Sequence, residues 1–288
     1  MTALSIPRVR RGRRAGSTFT KKFVLTLAAY VVALLFLLPY LEMVVVAARP
    51  ANELLSRNLL PTHFDWSNFV SIWSTGFGGN LGTSLQVAGG ATVLVLLVAL
   101  PAAHFTARHR FRGRSIFLLL VLATQMFQPA AMLVGIQREF LGFNLPSPTL
   151  SLILINAGFN LAFAVWIVNA FVSSIPVELE EAAVVDGCTR FGAMVRITLP
   201  LAMPGIVTAL IFTFISAWNE LLVALTLTLS APENGRPLTV AINNYVGQYS
   251  IDWGHLFAGS LVAMIPVIVL FAIIEGRVVS GLTAGAIK

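Results

Sequence analysis

Four of the twelve acidic residues in this 288-residue chain, Glu178, Glu180, Glu181 and Asp186, fall within nine positions. Small residues, Ala182, Ala183 and Gly187, sit among them. The chemistry such a set can do is surface recognition. Carboxylates supply charge complementarity, alanines let a second surface approach the backbone, and glycine after aspartate permits a sharp turn. The same residues also suit an ordinary solvated acidic loop.

A second group of polar residues lies inside strongly apolar runs. Thr124, Gln125 and Gln128 fall within about one helical turn, and Asn156 and Asn160 are four apart and share a face. Thr213, Ser216 and Glu220 follow i, i+3, i+7 spacing, with Trp218 and Asn219 beside them. Amides, hydroxyls and an aromatic ring are what a polyhydroxylated solute needs, namely hydrogen bonds to its OH groups and a flat apolar surface to stack on. The plainer alternative is helix–helix adhesion through interhelical hydrogen bonds. In this group the candidates for a translocation path are Gln125, Gln128, Asn156, Asn160, Ser216, Trp218, Asn219 and Glu220.

Catalytic signatures do not accompany these residues. There is no GxxxxGK[ST] loop, HExxH or GxSxG, and the four histidines, His63, His104, His109 and His255, show no ligand spacing. The single cysteine, Cys188, allows no intrachain disulfide. Transport, channel or scaffold functions remain.

The elements that position these residues are membrane spans. The chain is 57% hydrophobic and 11% charged, with a mean hydropathy of +0.85, well outside the range of soluble domains. Apolar runs long enough to cross a bilayer core of roughly 30 Å occur at about 23–47, 81–106, 115–136, 149–172, 199–228 and 255–279. The expected fold class is therefore an all-α polytopic membrane protein with six transmembrane helices. The first run is followed by no small-residue cleavage site and reads as a retained helix.

Charge sets the orientation. Lys and Arg cluster in residues 1–22, in 107–114, in 173–198 and in the C-terminal tail, fifteen in all, against Arg49, Arg57, Arg138 and Arg236 on the other side. The positive-inside rule then puts both termini in the cytoplasm. The net charge of +7 reflects this topology rather than a nucleic-acid partner. Three parts result: a basic N-terminal segment 1–22, a membrane domain 23–279 and a short tail 280–288. The longest outer segment, 48–80, has room for a short amphipathic helix near 66–74.

The acidic stretch thus lies on the cytoplasmic side, between the fourth and fifth spans. Local signals make 177–197 a helix–turn–helix. Pro176 suits a first turn, the glutamates favour a helix N-terminus, Asp186-Gly187 ends the helix and Thr189 can cap a second one running into Phe191. Pro200 and Pro204 then mark the return into the membrane.

"EAAVVDGCTRFGAMVRITLPLAMPG" (181–205) resembles the EAA signature of bacterial ABC importer permeases, roughly EAAxxDGA followed by IxLPLxxP. Glu181, Ala182, Ala183, Asp186, Gly187, Ile197, Leu199, Pro200, Leu201 and Pro204 match, and Cys188 stands where alanine is usual. "AARP" (47–50), "RHRFRGR" (108–114), "TQMFQP" (124–129), "AWNELLVAL" (217–225), "GQYSIDWG" (247–254) and "GLTAGAIK" (281–288) extend the resemblance to the MalG-like permeases of carbohydrate importers over nearly the whole chain after residue 23. Three places depart from the family's usual pattern: His104 in place of tyrosine, Ala162 in place of a proline that kinks the fourth helix, and the outer segment "FNLPSP" (143–148).

The resemblance implies a type I ABC importer permease in a bacterial cell membrane, with no catalysis or cofactor of its own. It implies a second homologous permease subunit, two ABC ATPase subunits that bind ATP and Mg, and an extracytoplasmic substrate-binding protein, either a lipoprotein or periplasmic. The loop 174–198 would dock on the ATPase through Glu181, Ala182, Ala183, Asp186, Gly187, Phe191, Leu199 and Pro200, and the tail would reach it through Gly281, Leu282, Thr283 and Gly285. The outer loop 229–255 would face the binding protein. A sugar or oligosaccharide is the expected cargo, with a polyol or glycerol-phosphate as the other solute class and a secondary transporter as the other mechanism.

Overall fold

The computed structural model describes residues 16–53, 58, 60–109, 111–127, 129–142, 147–229 and 231–284. Gln128 and Gly285 lie outside them. Among the described residues thirteen α-helices follow in order: α1 (Gly16–Ala47), α2 (Ser67–Ser71), α3 (Phe77–Arg108), α4 (Arg114–Ala123), α5 (Pro129–Gly142), α6 (Pro148–Ser174), α7 (Glu178–Val185), α8 (Arg190–Ala193), α9 (Leu199–Leu201), α10 (Met203–Trp218), α11 (Leu222–Leu227), α12 (Leu238–Asn243) and α13 (Trp253–Ala284). The four longest, α1, α3, α6 and α13, are each long and apolar enough to cross a bilayer, and the count reaches six if two bent pairs are each one span.

The bundle centres on α3, α6 and α10. Small residues let the backbones of these helices come close, which is how helices associate where lipid removes any hydrophobic difference. Ala99 and Ala103 of α3 meet Ala164, Val168 and Val172 of α6, with Ala202, Ile206 and Ala209 closing the third side. Asn169 fastens α6 to α3 from within this core. Its Nδ2 donates to Thr106 Oγ1 at 2.8 Å. α13 lies against α10 and α1. The apolar window of α1 is wholly unburied within the chain, as suits a helix that is hydrophobic all round and faces lipid or another subunit.

Two expected spans are not single helices. The run 115–136 is interrupted at Phe127, which is extended (φ −82°, ψ 112°), before Pro129 opens α5. The run 199–228 is broken twice. The segment Arg190–Leu201 meets α10 at 76°, where Pro200 and Pro204 remove backbone donors. A π-helical turn, Met194–Thr198, precedes the bend. At the other end α10 stops at Trp218, and Asn219–Leu221 separates it from α11. With sixteen residues α10 spans about 24 Å, so α10 and α11 together make the crossing. The fourth expected span is the single helix α6, unbroken over 27 residues, with Ala162 buried near its centre. Without a proline there, every backbone bond of that region can form.

Candidate functional site

α7 begins with three glutamates in its first turn, where negative charge suits the helix dipole. Glu178, Glu180 and Glu181 fill the first turn, and the N–H groups of Glu180 and Glu181 both donate to Val177 O at 3.0 and 3.1 Å. It ends in a Schellman motif: Cys188 N donates to Ala183 O at 2.9 Å and Gly187 N to Val184 O at 3.0 Å. Gly187 has φ 92°, the left-handed region that favours glycine. A Cβ there would meet nothing within 4 Å, so the requirement is conformational rather than steric. Thr189 caps α8, its Oγ1 accepting from Gly192 N at 3.0 Å. The helix–turn–helix expected over 177–197 is therefore present, with α7 starting at Glu178 rather than at Pro176.

The side chains of this element divide into two sets. Glu178, Glu181, Ala182 and Asp186 are exposed. Val185 and Phe191 are 86% and 72% exposed, an apolar surface with carboxylates beside it and none of the described residues over it. Leu199 is half-buried and Pro200 exposed at the bend, while Ala183 is buried.

Glu180 turns inward instead. Its Oε1 accepts from Arg108 Nε at 2.8 Å and from Thr198 Oγ1, and its Oε2 accepts from His104 Nε2 at 3.2 Å. Arg108 also donates from Nη1 to Ile175 O at 2.8 Å. Burial opposes ionisation of Glu180 and is the largest single effect, but donors from Thr198, Arg108 and His104 together outweigh it and hold the carboxyl below its ordinary value. Sequence reasoning singled out Glu181 and missed Glu180. Nothing in the local pattern separates two adjacent glutamates, because Arg108 and His104, which draw Glu180 inward, are more than seventy residues away. An open cleft of ≈ 630 Å³ lies beneath, between the end of α3 and this element, lined by His104, Arg108, Glu180, Glu181, Arg190 and Phe191 among others.

The polar residues within spans fall in two places. Gln125, Asn160 and Ser216 come together on a cleft of ≈ 420 Å³ beside Thr124, Phe127 and Phe159. Gln125 Nε2 donates to Phe159 O, and Asn160 Nδ2 to Asn156 O, both at 2.8 Å. Among the described residues neither amide oxygen has an intrachain donor, so both can accept from a hydroxyl. Asn156 is buried, its Nδ2 donating to Leu152 O at 2.9 Å, and does not line the cleft.

Trp218 and Asn219 line a separate cleft of ≈ 330 Å³ against α12 and α13. Trp218 is 5% exposed, stacks on Phe214 at 5.5 Å and donates from Nε1 to Ala263 O at 3.2 Å. Glu220 lies past the end of α10 and does not continue the Thr213–Ser216 face. Its carboxylate accepts from Val223 N at 2.7 Å and Ala224 N at 2.8 Å, capping α11. Gly281, Leu282 and Thr283 belong to α13, which runs through Ala284 rather than ending at the span boundary near 279.

Comparison with known proteins agrees with this architecture. Residues 92–282 match the family described as "Binding-protein-dependent transport system inner membrane component". The sulfoquinovosyl glycerol transport system permease protein SmoH of Agrobacterium fabrum is 38% identical over 205 residues, 71% of each chain. The trehalose transport system permease protein SugB of Mycobacterium tuberculosis is 34% identical over 255 residues, 88% of this chain and 92% of its own. The fold matches a chain of a bacterial ABC transporter involved in alginate import with a TM-score of 0.74, over 92% of this chain and 99% of that one, at 20% identity. The matched region runs from α3 through the acidic α7 into α13, and the chain belongs to the family of inner-membrane components of binding-protein-dependent transport systems.

Proposed function

We propose that this chain forms half of the translocation pathway of an ATP-driven importer for a sugar or oligosaccharide, and that α7 is its docking helix for an ATPase. The observation that carries the reading is the exposed acidic and apolar surface of α7 and α8, set on the cytoplasmic side by the charge distribution and inside the matched family region. Val185, Phe191 and Glu181 offer a partner both apolar area and charge. ATP and Mg belong to that partner, because this chain carries no phosphate loop. A second, homologous permease completes the pathway, and an extracytoplasmic binding protein delivers the cargo.

The carbohydrate cargo rests on the named substrates of the relatives, sulfoquinovosyl glycerol and trehalose, together with the hydroxyl-accepting cleft of Gln125, Asn160 and Ser216. The test is purification of the tagged chain from its native membranes. Co-elution of a second permease and an ATPase, with ATP hydrolysis stimulated by the sugar-loaded binding protein, is the expected result. A chain that purifies alone and transports down an ion gradient overturns the reading. Stimulation by a polyol or a phosphate ester but by no sugar overturns the cargo alone.

A further inference from the structure

We infer that Glu180 is a positioning residue that carries each displacement of α7 into two levers of the membrane bundle at once, the cytoplasmic end of α3 and the bend at the foot of α10. The inference rests on the importer reading above. α7 has little else to hold it to the bundle. Ala183 is its one buried residue, while Leu179, Val184 and Val185 stay exposed. The other three acidic residues of the cluster, Glu178, Glu181 and Asp186, are exposed and make no ion pair among the described residues. They are free for a partner, and Glu180 is not.

The partners of Glu180 sit at the places where motion must pass. Arg108 and His104 are one turn apart at the end of α3, so the carboxylate grips that helix end at two points. Through Nη1, Arg108 also holds Ile175, the C-cap of α6. Thr198 is the last residue of the π-helical turn and is fully buried. Single π turns inside α-helices recur at functional sites, and this one lies just before the 76° bend into α10. Charge-assisted bonds of this kind are short, directional and stronger than neutral ones, so one carboxylate fixes α7 to both levers. Ser216, on the polar cleft, lies farther along α10 from that bend.

The test uses the importer purified with its partner subunits and set in nanodiscs, with ATP and vanadate as the probe of the driven state. Spin labels at Leu179→Cys and Val98→Cys, in a Cys188→Ala background, report the α7–α3 separation, all at exposed positions outside the docking surface. Labels at Leu179→Cys and Phe212→Cys report α7–α10. In the native complex both separations keep one narrow distribution with and without trapping. Glu180→Gln should retain the ATPase and its hydrolysis, yet lose the fixed separation from both helices on trapping. Thr198→Val should free α10 alone. Unchanged distributions in both variants overturn the inference, as does loss of the ATPase from the Glu180→Gln complex, which would make Glu180 a docking residue. If Glu180→Gln does not fold, Thr198→Val decides: an α7–α10 separation still fixed on trapping sinks the lever. A native chain that retains no ATPase sinks the importer reading, and the inference with it.

Discussion

The ring of Phe171 occupies the space where any side chain on Gly205 would begin: a Cβ built on Gly205 would lie 2.4 Å from Phe171 Cγ. α6 and α10 can approach this closely because residue 205 has no side chain. Gly205→Ala should therefore lower stability by about 1–3 kcal/mol, the usual cost of overpacking, read as a lower melting temperature of the purified complex. Gly89→Ala, where a Cβ meets nothing within 4 Å, is the control. Equal losses in the two variants would remove the close-approach explanation.

Gly187 gives a different kind of prediction, because its surroundings are open and only its φ of 92° constrains it. Gly187→Val should cost roughly 1–2 kcal/mol through the left-handed backbone, and Gly187→Asn less, since asparagine tolerates that region. On the proposed docking role, the readout is retention of the ATPase on purification. Full retention with valine would show that the Schellman turn is dispensable for docking.

Glu220 caps α11 through two backbone donors. Glu220→Ala should destabilise that end of the crossing by about 0.5–2 kcal/mol, the range for lost helix caps. Hydrogen exchange at the amides of Val223 and Ala224 should quicken, with slower change in Glu220→Gln. Protection unchanged in the alanine variant would return the carboxylate to the list of groups free to face cargo.

The lowered Glu180 carboxyl makes a pH prediction. A depressed folded value means the network stabilises the fold fully above the ordinary value of 4.5 and is lost as pH falls through the lowered one. Exchange protection at the end of α3 should thus be flat from neutral pH down to about 4.5 and fall only below it, with Arg108, His104 and Thr198 the groups facing the carboxylate. Glu180→Gln should show low protection throughout. A native profile that already falls above 4.5 would mean another group controls this contact.

Much of this was legible in sequence because the signals are local. The apolar runs, the Asp186-Gly187 stop and the Thr189 cap depend on residues a few positions apart; four runs are single long helices and two are bent pairs, and the stop and the cap are both present. Gln125, Asn160 and Ser216 were legible only as polar residues in oily runs. Their convergence on one cleft, and the withdrawal of Asn156 from it, depend on how the turn Thr124–Met126 after α4 is set against α6 and α10.

By itself, the sequence determined that this chain is a helical membrane protein with an acidic, turn-ended element between its fourth and fifth apolar runs, because hydropathy and capping act over a turn or two of helix. Only the tertiary structure decided that Glu180 faces inward while Glu181 faces out, that Glu220 caps a helix, and that the fifth crossing bends at its foot. Glu180 meets Arg108 and His104 only through packing, across more than seventy positions, whereas Glu220 bonds amides three and four residues on, and what the structure decided there is where α10 stops and α11 begins.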